Sequence, residues 1–260
     1  MKTVILAGGF GTRLSEETGV RPKPLVEIGE MPIIWHIMKM YSLYGVKDFI
    51  ICCGYKGYML KEFFANYLFR KSNIEVNLKE NKLIVLDEEV ENWTITLIET
   101  GESTMTGGRI KRIKNYVGNE TFFLTYGDGV SDINFDKLLK FHKEQDTYAT
   151  LTAVQPPGRF GTFSLETGEK LISKFREKPK GDGQDKAWIN GGFFVLEPEI
   201  FDYIKDDSTV FERDPLEILA RDKKLSAYRH TGYWQNMDSL RDKLVLENEW
   251  ISENPPWKSW

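Results

Sequence analysis

Apolar residues cluster along this chain in two rhythms. The run Val4-Ile5-Leu6-Ala7 stops at Gly8-Gly9, and runs of this length bounded by glycine predict a buried strand, here over 2–7. The same signature returns at 47–53, at Thr121–Tyr126 and at 148–154. Between the first two runs, Ile33, Ile34, Ile37, Met38, Tyr41 and Tyr44 recur at helical spacing and predict a helix over 32–44, ended by Gly45. Further helices are predicted near 57–69 and 134–145. Strands alternating with helices predict βαβ units, right-handed crossovers and a mostly parallel sheet. The alternation breaks at 73–99. There Ile74–Leu78 and Leu83–Leu86 flank Glu80-Asn81-Lys82, the pattern of a β-hairpin, and a strand from Trp93 to Ile98 follows. Such a hairpin either projects to build an oligomer interface or is a surface excursion. The chain then reads as β-rich to Leu196 and as helical near 198–205, 214–222 and 239–252. Two tryptophans in the tail, Trp257 and Trp260, are expected to pack on the body or on a neighbouring subunit.

The chemistry gathers at the strand ends. Gly8-Gly9-Phe10-Gly11-Thr12-Arg13-Leu14 follows the first strand, and Lys23 stands between Pro22 and Pro24. Glycine-rich turns at strand ends let backbone N–H groups approach a phosphate chain, and Arg13 and Lys23 add two cations. Together they fit an enzyme acting on a nucleoside triphosphate. A Walker loop is excluded because Thr12-Arg13, not Lys-Ser/Thr, follows Gly11. The dinucleotide fingerprint is excluded because its third glycine position holds Leu14. The strand ending at Tyr126 runs into Gly127-Asp128-Gly129, which places a carboxylate at the same sheet edge. Asp128 is either a turn residue or the carboxylate of a Mg²⁺ that bridges it to phosphate. Asp238 precedes the last helix, where it serves as an N-cap, as a second metal carboxylate, or as both.

Composition narrows the classes. The chain has 260 residues with a net charge of −4, which disfavours a general nucleic-acid surface. No apolar run approaches the roughly 18 residues of a membrane span, and Lys2 is followed by too short an apolar stretch for a secretory leader. The only cysteines, Cys52 and Cys53, adjoin in a predicted buried strand and are expected to be free thiols in a reducing cytoplasm. His36, His142 and His230 show no metal-ligand spacing.

The N-terminal arrangement of Gly-Gly-x-Gly-Thr-Arg-Leu followed by Lys23-Pro24-Leu25 resembles the sugar-phosphate nucleotidyltransferases. That resemblance implies a Rossmann-like α/β fold, a mostly parallel mixed sheet flanked by helices with the hairpin inserted, in one domain over 1–260, with a nucleotide-binding part (about 1–130) and a smaller β-rich, sugar-binding part (about 131–260). It assigns nucleotide contacts to Leu6, Ala7, Gly8, Gly9, Gly11, Thr12, Arg13, Lys23, Thr104, Arg109 and Asp128, with Arg13 and Lys23 catalytic. Mg²⁺ falls to Asp128 and Asp238. Glu177-Lys178-Pro179 and Asn190-Gly191-Gly192-Phe193-Phe194 look like the family's sugar-phosphate elements, which implicates Glu177, Lys178, Asn190 and Gly191. Thymidylyl- and uridylyl-transferring members typically carry Gly-x-Ala after the third core strand. Here Thr106-Gly107-Gly108-Arg109 resembles the cytidylyl-transferring branch, implying CTP and glucose 1-phosphate as substrates and CDP-glucose and pyrophosphate as products. The likeness continues through Ile34-Trp35-His36-Ile37-Met38, Cys52–Gly57, Pro156–Gly161 and Pro256-Trp257-Lys258, and departs from the family only in extra residues around Gly183–Lys186. It further implies a homohexamer and a role in making CDP-linked dideoxy sugars for surface polysaccharide such as O-antigen and lipopolysaccharide. Kept beside it are a UTP- or dTTP-using relative and a non-catalytic assembly subunit. The latter tends to lose the phosphate cations and the metal carboxylate, all present here. A dinucleotide-dependent reductase is disfavoured by Leu14.

Overall fold

Val4 and Leu6 face one side of a strand and Ile5 the other, and all three are buried, so Lys2–Leu6 (β1) is a central strand covered on both faces. This computed structural model describes residues 1–87, 90–156, 162–163, 175–176, 188–252 and 254–260, with 162–163 and 175–176 as backbone alone. The other strands of its main sheet are Asp48–Cys53 (β2), Thr94–Glu99 (β3), Phe122–Tyr126 (β4), Ala149–Val154 (β5), Ile189–Leu196 (β6) and Leu225–His230 (β7). They lie in the order β7-β5-β6-β4-β1-β2-β3. β1 pairs parallel with β2 and β4, β2 with β3, and β5 with β7, whereas β6 is antiparallel to both its neighbours. The strands of the second part therefore complete the same sheet.

Helices cover both faces. Ile33–Ser42 (α1) and Phe135–Glu144 (α4) pack Ile37, Tyr41, Phe135 and Leu138 against Ile5, Ile51 and Phe123. Thr106–Arg112 (α3) and Asp214–Arg221 (α5) pack Ile110, Leu216 and Leu219 against Val4, Ile50 and Leu124 on the other side. Gly57–Ala65 (α2) precedes α3, and Leu240–Ile251 (α6) closes the order. From β1 the chain builds outward through β2 to β3, then places β4 on β1's opposite edge. That reversal opens a crevice at the carboxyl ends of β1 and β4, where open α/β sheets bind ligands.

Two local features depart from the sequence reading. The helix expected over 57–69 breaks at Asn66, whose Nδ2 donates to the Glu62 carbonyl at 2.8 Å and whose backbone leaves helical geometry. α3 forms where the pattern predicts no element, because Gly107 and Gly108 are poor helix formers. Packing explains them: a Cβ on Gly107 would lie 2.7 Å from the Thr209 carbonyl oxygen, and one on Gly108 2.5 Å from the Asp207 Cα. β6 is the antiparallel strand that makes the sheet mixed, as expected, although its apolar pattern does not mark which strand is reversed.

The expected hairpin is present as Ile74–Asn77 paired with Lys82–Val85 in its own two-stranded sheet, with Val76, Leu78 and Leu86 exposed. In the tail, Trp257 is buried beside Trp250 and Tyr233, and Trp260 sits edge-on to Trp35. His36 is fully buried, bonded to the Ile28 carbonyl, and burial lowers its pKa to about 4. Cys52 and Cys53 are free, buried thiols. Among the described residues, no helix is long and apolar enough to cross a membrane.

Candidate active site

The glycine turn after β1 needs its glycines for two separate reasons. Gly11 stands at φ 63°, the left-handed region. At Gly8 a Cβ would lie 2.1 Å from Arg109 Nη1. Arg109, on α3 and buried, holds the turn from below. Its Nη1 donates to the Cys53 carbonyl (3.1 Å), Thr100 Oγ1 (2.8 Å) and the Gly101 carbonyl (2.7 Å). Its Nη2 donates to the carbonyls of Gly8 (2.9 Å) and Glu102 (3.1 Å). One guanidinium thus ties together the loops that follow β1, β2 and β3. Burial lowers its pKa, although an arginine keeps its charge.

The charged end of the cleft centres on Lys23. Its short 3-10 turn, Lys23–Leu25, buries Pro24 and Leu25 and so fixes the backbone below the side chain. Lys23 Nζ lies 2.6 Å from Asp128 Oδ2 and 2.6 Å from Asp238 Oδ1. Burial alone would lower its pKa, but the two carboxylates overcome that and the net shift is upward. Arg13 Nη1 reaches Asp238 Oδ2 at 2.9 Å, and Asn236 Nδ2 donates to the same oxygen at 2.8 Å.

Backbone register brings the two carboxylates side by side. Trp234–Asn236 pairs antiparallel with Gly129–Ser131, Asn236 facing Gly129, and the Met237 N–H donates to the Asp128 carbonyl at 2.8 Å. The N-cap of α6 is Ser239, in a capping box with Asp242, so Asp238 is not spent on capping. Among the described residues no three His, Cys, Asp or Glu side chains form a metal cluster. A pair of carboxylates converging on one cation suits an ion that takes its remaining ligands from phosphates.

At the other end lies β6. Its ladder with β5 slips between Leu151 and Ala153, and the slack falls at Gly191-Gly192. Gly192 adopts φ +80°, and a Cβ there would lie 2.6 Å from the Tyr126 ring. Asn190 Oδ1 accepts from the Gly192 N–H at 2.9 Å, and Trp234 Nε1 donates to the Gly191 carbonyl at 2.7 Å.

One cavity of roughly 600 Å³ joins these parts, ample for a nucleotide. Leu6, Ala7, Gly8, Gly9, Gly11, Thr12, Arg13, Lys23, Thr104, Arg109, Asp128, Asn190, Gly191 and Asp238 all line it. Glu177 and Lys178 lie outside the described residues, as do Gly158–Gly161 and Gly183–Lys186. Tyr126 and Trp234 also line the cavity, and the sequence reading assigned neither a role; Thr106, read there only as part of the Thr106–Arg109 segment, lines it too. Tyr126, two residues before Asp128 at the end of an apolar strand, was the one with a readable signal.

Residues 2–243 match the nucleotidyl transferase family. The chain is 55% identical to the glucose-1-phosphate cytidylyltransferase of Salmonella typhi across 100% of both proteins. It is 44% identical to the probable glucose-1-phosphate cytidylyltransferase of Bacillus subtilis, again across 100% of both. Its backbone superimposes on a UDP-glucose pyrophosphorylase from Acinetobacter baumanii with a TM-score of 0.70, covering 98% of this chain and 95% of that one at 16% identity, a likeness of fold. The chain belongs to the nucleotidyl transferase family.

Proposed function

We propose that this nucleotidyltransferase transfers the cytidylyl group of CTP to α-D-glucose 1-phosphate, giving CDP-glucose and pyrophosphate. The observation that carries the reading is the convergence of Arg13, Lys23, Asp128 and Asp238 beside the glycine turn of one cleft. The 55% identity to the Salmonella enzyme supports the choice of CTP and glucose 1-phosphate. The nucleotide lies toward the part built by residues 1–130, the sugar toward the rest.

An oxygen of the sugar phosphate attacks the α-phosphorus, a new P–O bond forms, and the bond to the β-phosphate oxygen breaks as pyrophosphate leaves. A phosphomonoester is largely dianionic at neutral pH, its second pKa being about 6, so no general base is required. The remaining task is to align two anions and neutralise their charge. Arg13, whose planar fork suits bidentate contact, holds the leaving phosphates. Lys23 meets the reacting phosphates. Gly8, Gly9, Gly11 and Thr12 supply backbone and hydroxyl donors. Asp128 and Asp238 would hold Mg²⁺, which when bound supplies further neutralisation of phosphate charge. Thr104 and the carbonyls that Arg109 fixes at Gly8, Gly101 and Glu102 offer a polar edge to the cytosine. Glu177 and Lys178 serve the sugar phosphate.

Pyrophosphate release with Mg²⁺ and glucose 1-phosphate, offering CTP, UTP, dTTP, ATP and GTP in turn, tests this. Release with CTP and at most trace release with the others is expected. Release with UTP or dTTP instead would keep the mechanism and discard the base assignment.

The exposed apolar hairpin supports assembly into a homo-oligomer, a hexamer by the family likeness. Deleting residues 73–90 is expected to yield a smaller particle by light scattering after size exclusion. An unchanged mass would rule out the hairpin as an interface.

A further inference from the structure

Asn190 toward the sugar side and α3 toward the base side are linked through Glu212, a residue none of the preceding chemistry uses. Glu212 sits just before α5. Its Oε1 accepts from the Tyr126 hydroxyl at 2.5 Å and its Oε2 accepts from Thr106 Oγ1 at 2.6 Å. Thr106 is the first residue of α3, directly after the Thr104-Met105 stretch, and its Oγ1 also accepts from the Phe211 N–H at 2.9 Å. Tyr126 ends β4, and its hydroxyl oxygen faces Asn190 Nδ2 at 3.5 Å. Its ring fills the space that a Cβ on Gly192 would occupy.

The directions of these bonds matter. The Tyr126 hydroxyl hydrogen goes to Glu212, which leaves the phenol oxygen to accept from Asn190. The Asn190 Oδ1 takes the Gly192 N–H. Both ends of the Asn190 amide are thereby oriented, and a flipped amide would set its NH₂ against the Gly192 N–H. Thr106 likewise donates to Glu212 while accepting from Phe211, so the hydroxyl that anchors the start of α3 has one orientation.

We infer that Glu212 is a positioning residue that sets base selection and sugar selection together, by fixing Thr106 with one carboxylate oxygen and, through Tyr126, Asn190 with the other. The inference rests on the nucleotidyltransferase reading of the cleft, with Asn190 on the sugar side and the 104–109 segment on the base side. It makes the two selectivities separable from either neighbour but inseparable from Glu212 itself.

The test compares kcat/KM ratios in the full-length protein. One ratio is taken between the two best nucleotides and one between the two best sugar 1-phosphates of the wild type, expected to be CTP over UTP and glucose 1-phosphate over galactose 1-phosphate. Glu212→Ala is expected to lower both ratios by up to about tenfold, the scale of one lost hydrogen bond. Tyr126→Phe should lower only the sugar ratio, and Thr106→Val only the nucleotide ratio. A merely structural role would reduce kcat or thermal stability and leave the ratios where they were, and that result in Glu212→Ala overturns the inference. If Glu212→Ala does not fold, the single variants decide: unchanged ratios in both, or both ratios moving in either one, refute the linkage. A wild type that prefers another nucleotide or sugar phosphate refutes the substrate assignment above, while the ratios among its own best substrates still report on Glu212.

Discussion

The Lys23→Ala protein is expected to turn over at about one hundredth of the wild-type rate or less, the scale of one lost preorganised electrostatic group. The reason is the placement of this ammonium. Its side chain is only 11% exposed, it lies 2.6 Å from each of two carboxylates, and Pro24 and Leu25 pin its backbone. In the variant, Asp128 and Asp238 lose the ammonium they share, and less positive charge is left to meet the incoming phosphates. Arg13 is a poor substitute, since its side chain is 79% exposed and water screens it. Initial rates at saturating concentrations of both substrates give kcat directly. A variant with near-normal turnover would remove Lys23 from the mechanism. A variant whose KM rises while kcat holds would reassign it to ground-state binding.

The second large effect belongs to Arg109. Arg109→Met is expected to destabilise the fold by about 3 kcal/mol or more, because several buried oxygens lose their donor at once and each such loss costs about 1–3 kcal/mol. For a chain of this size that corresponds to a melting temperature lower by roughly 6–12 °C. The carbonyls of Gly8, Cys53, Gly101 and Glu102 and the hydroxyl of Thr100 would all be affected. The KM for the nucleotide should rise about tenfold or more, as the loops facing the base lose their common anchor. A single ammonium cannot serve acceptors on three loops, so Arg109→Lys should recover only part of either loss. Calorimetry and nucleotide titration measure the two effects separately. A normal melting temperature would show that the guanidinium is not the anchor described. An unchanged KM in a destabilised variant would show that these loops do not read the base.

Much of this architecture is legible in the sequence because its signals are local. Val4–Ala7 ends at glycines, and both the strand and the phosphate-facing turn follow from that. The hairpin announces itself by alternating residues around Glu80-Asn81-Lys82, and Asp128 is readable as a carboxylate between glycines at the end of an apolar strand. The rest depends on contacts between distant segments. Nothing near Glu212 hints that its two oxygens are held by Tyr126 and Thr106. Gly107 and Gly108 argue against a helix until the backbone of Asp207 and Thr209 is seen to press on them. β6 is as apolar as its parallel neighbours, and only its pairing reveals its direction. Asp238 reads equally well as a cap until Ser239 is found to fill that role.

The short ladder between Gly129–Ser131 and Trp234–Asn236 has a consequence in time. Synthesis runs from the N-terminus, and segments begin to organise as they emerge. The glycine turn, Lys23 and Asp128 leave the ribosome well before the second carboxylate does. Until Asp238 is made, the proposed site lacks one of its two carboxylates. Chains that stop before Trp234 cannot form this ladder and lack Asp238. On the proposed reading of the cleft, activity therefore requires synthesis to have passed Asp238 and this late ladder to have closed.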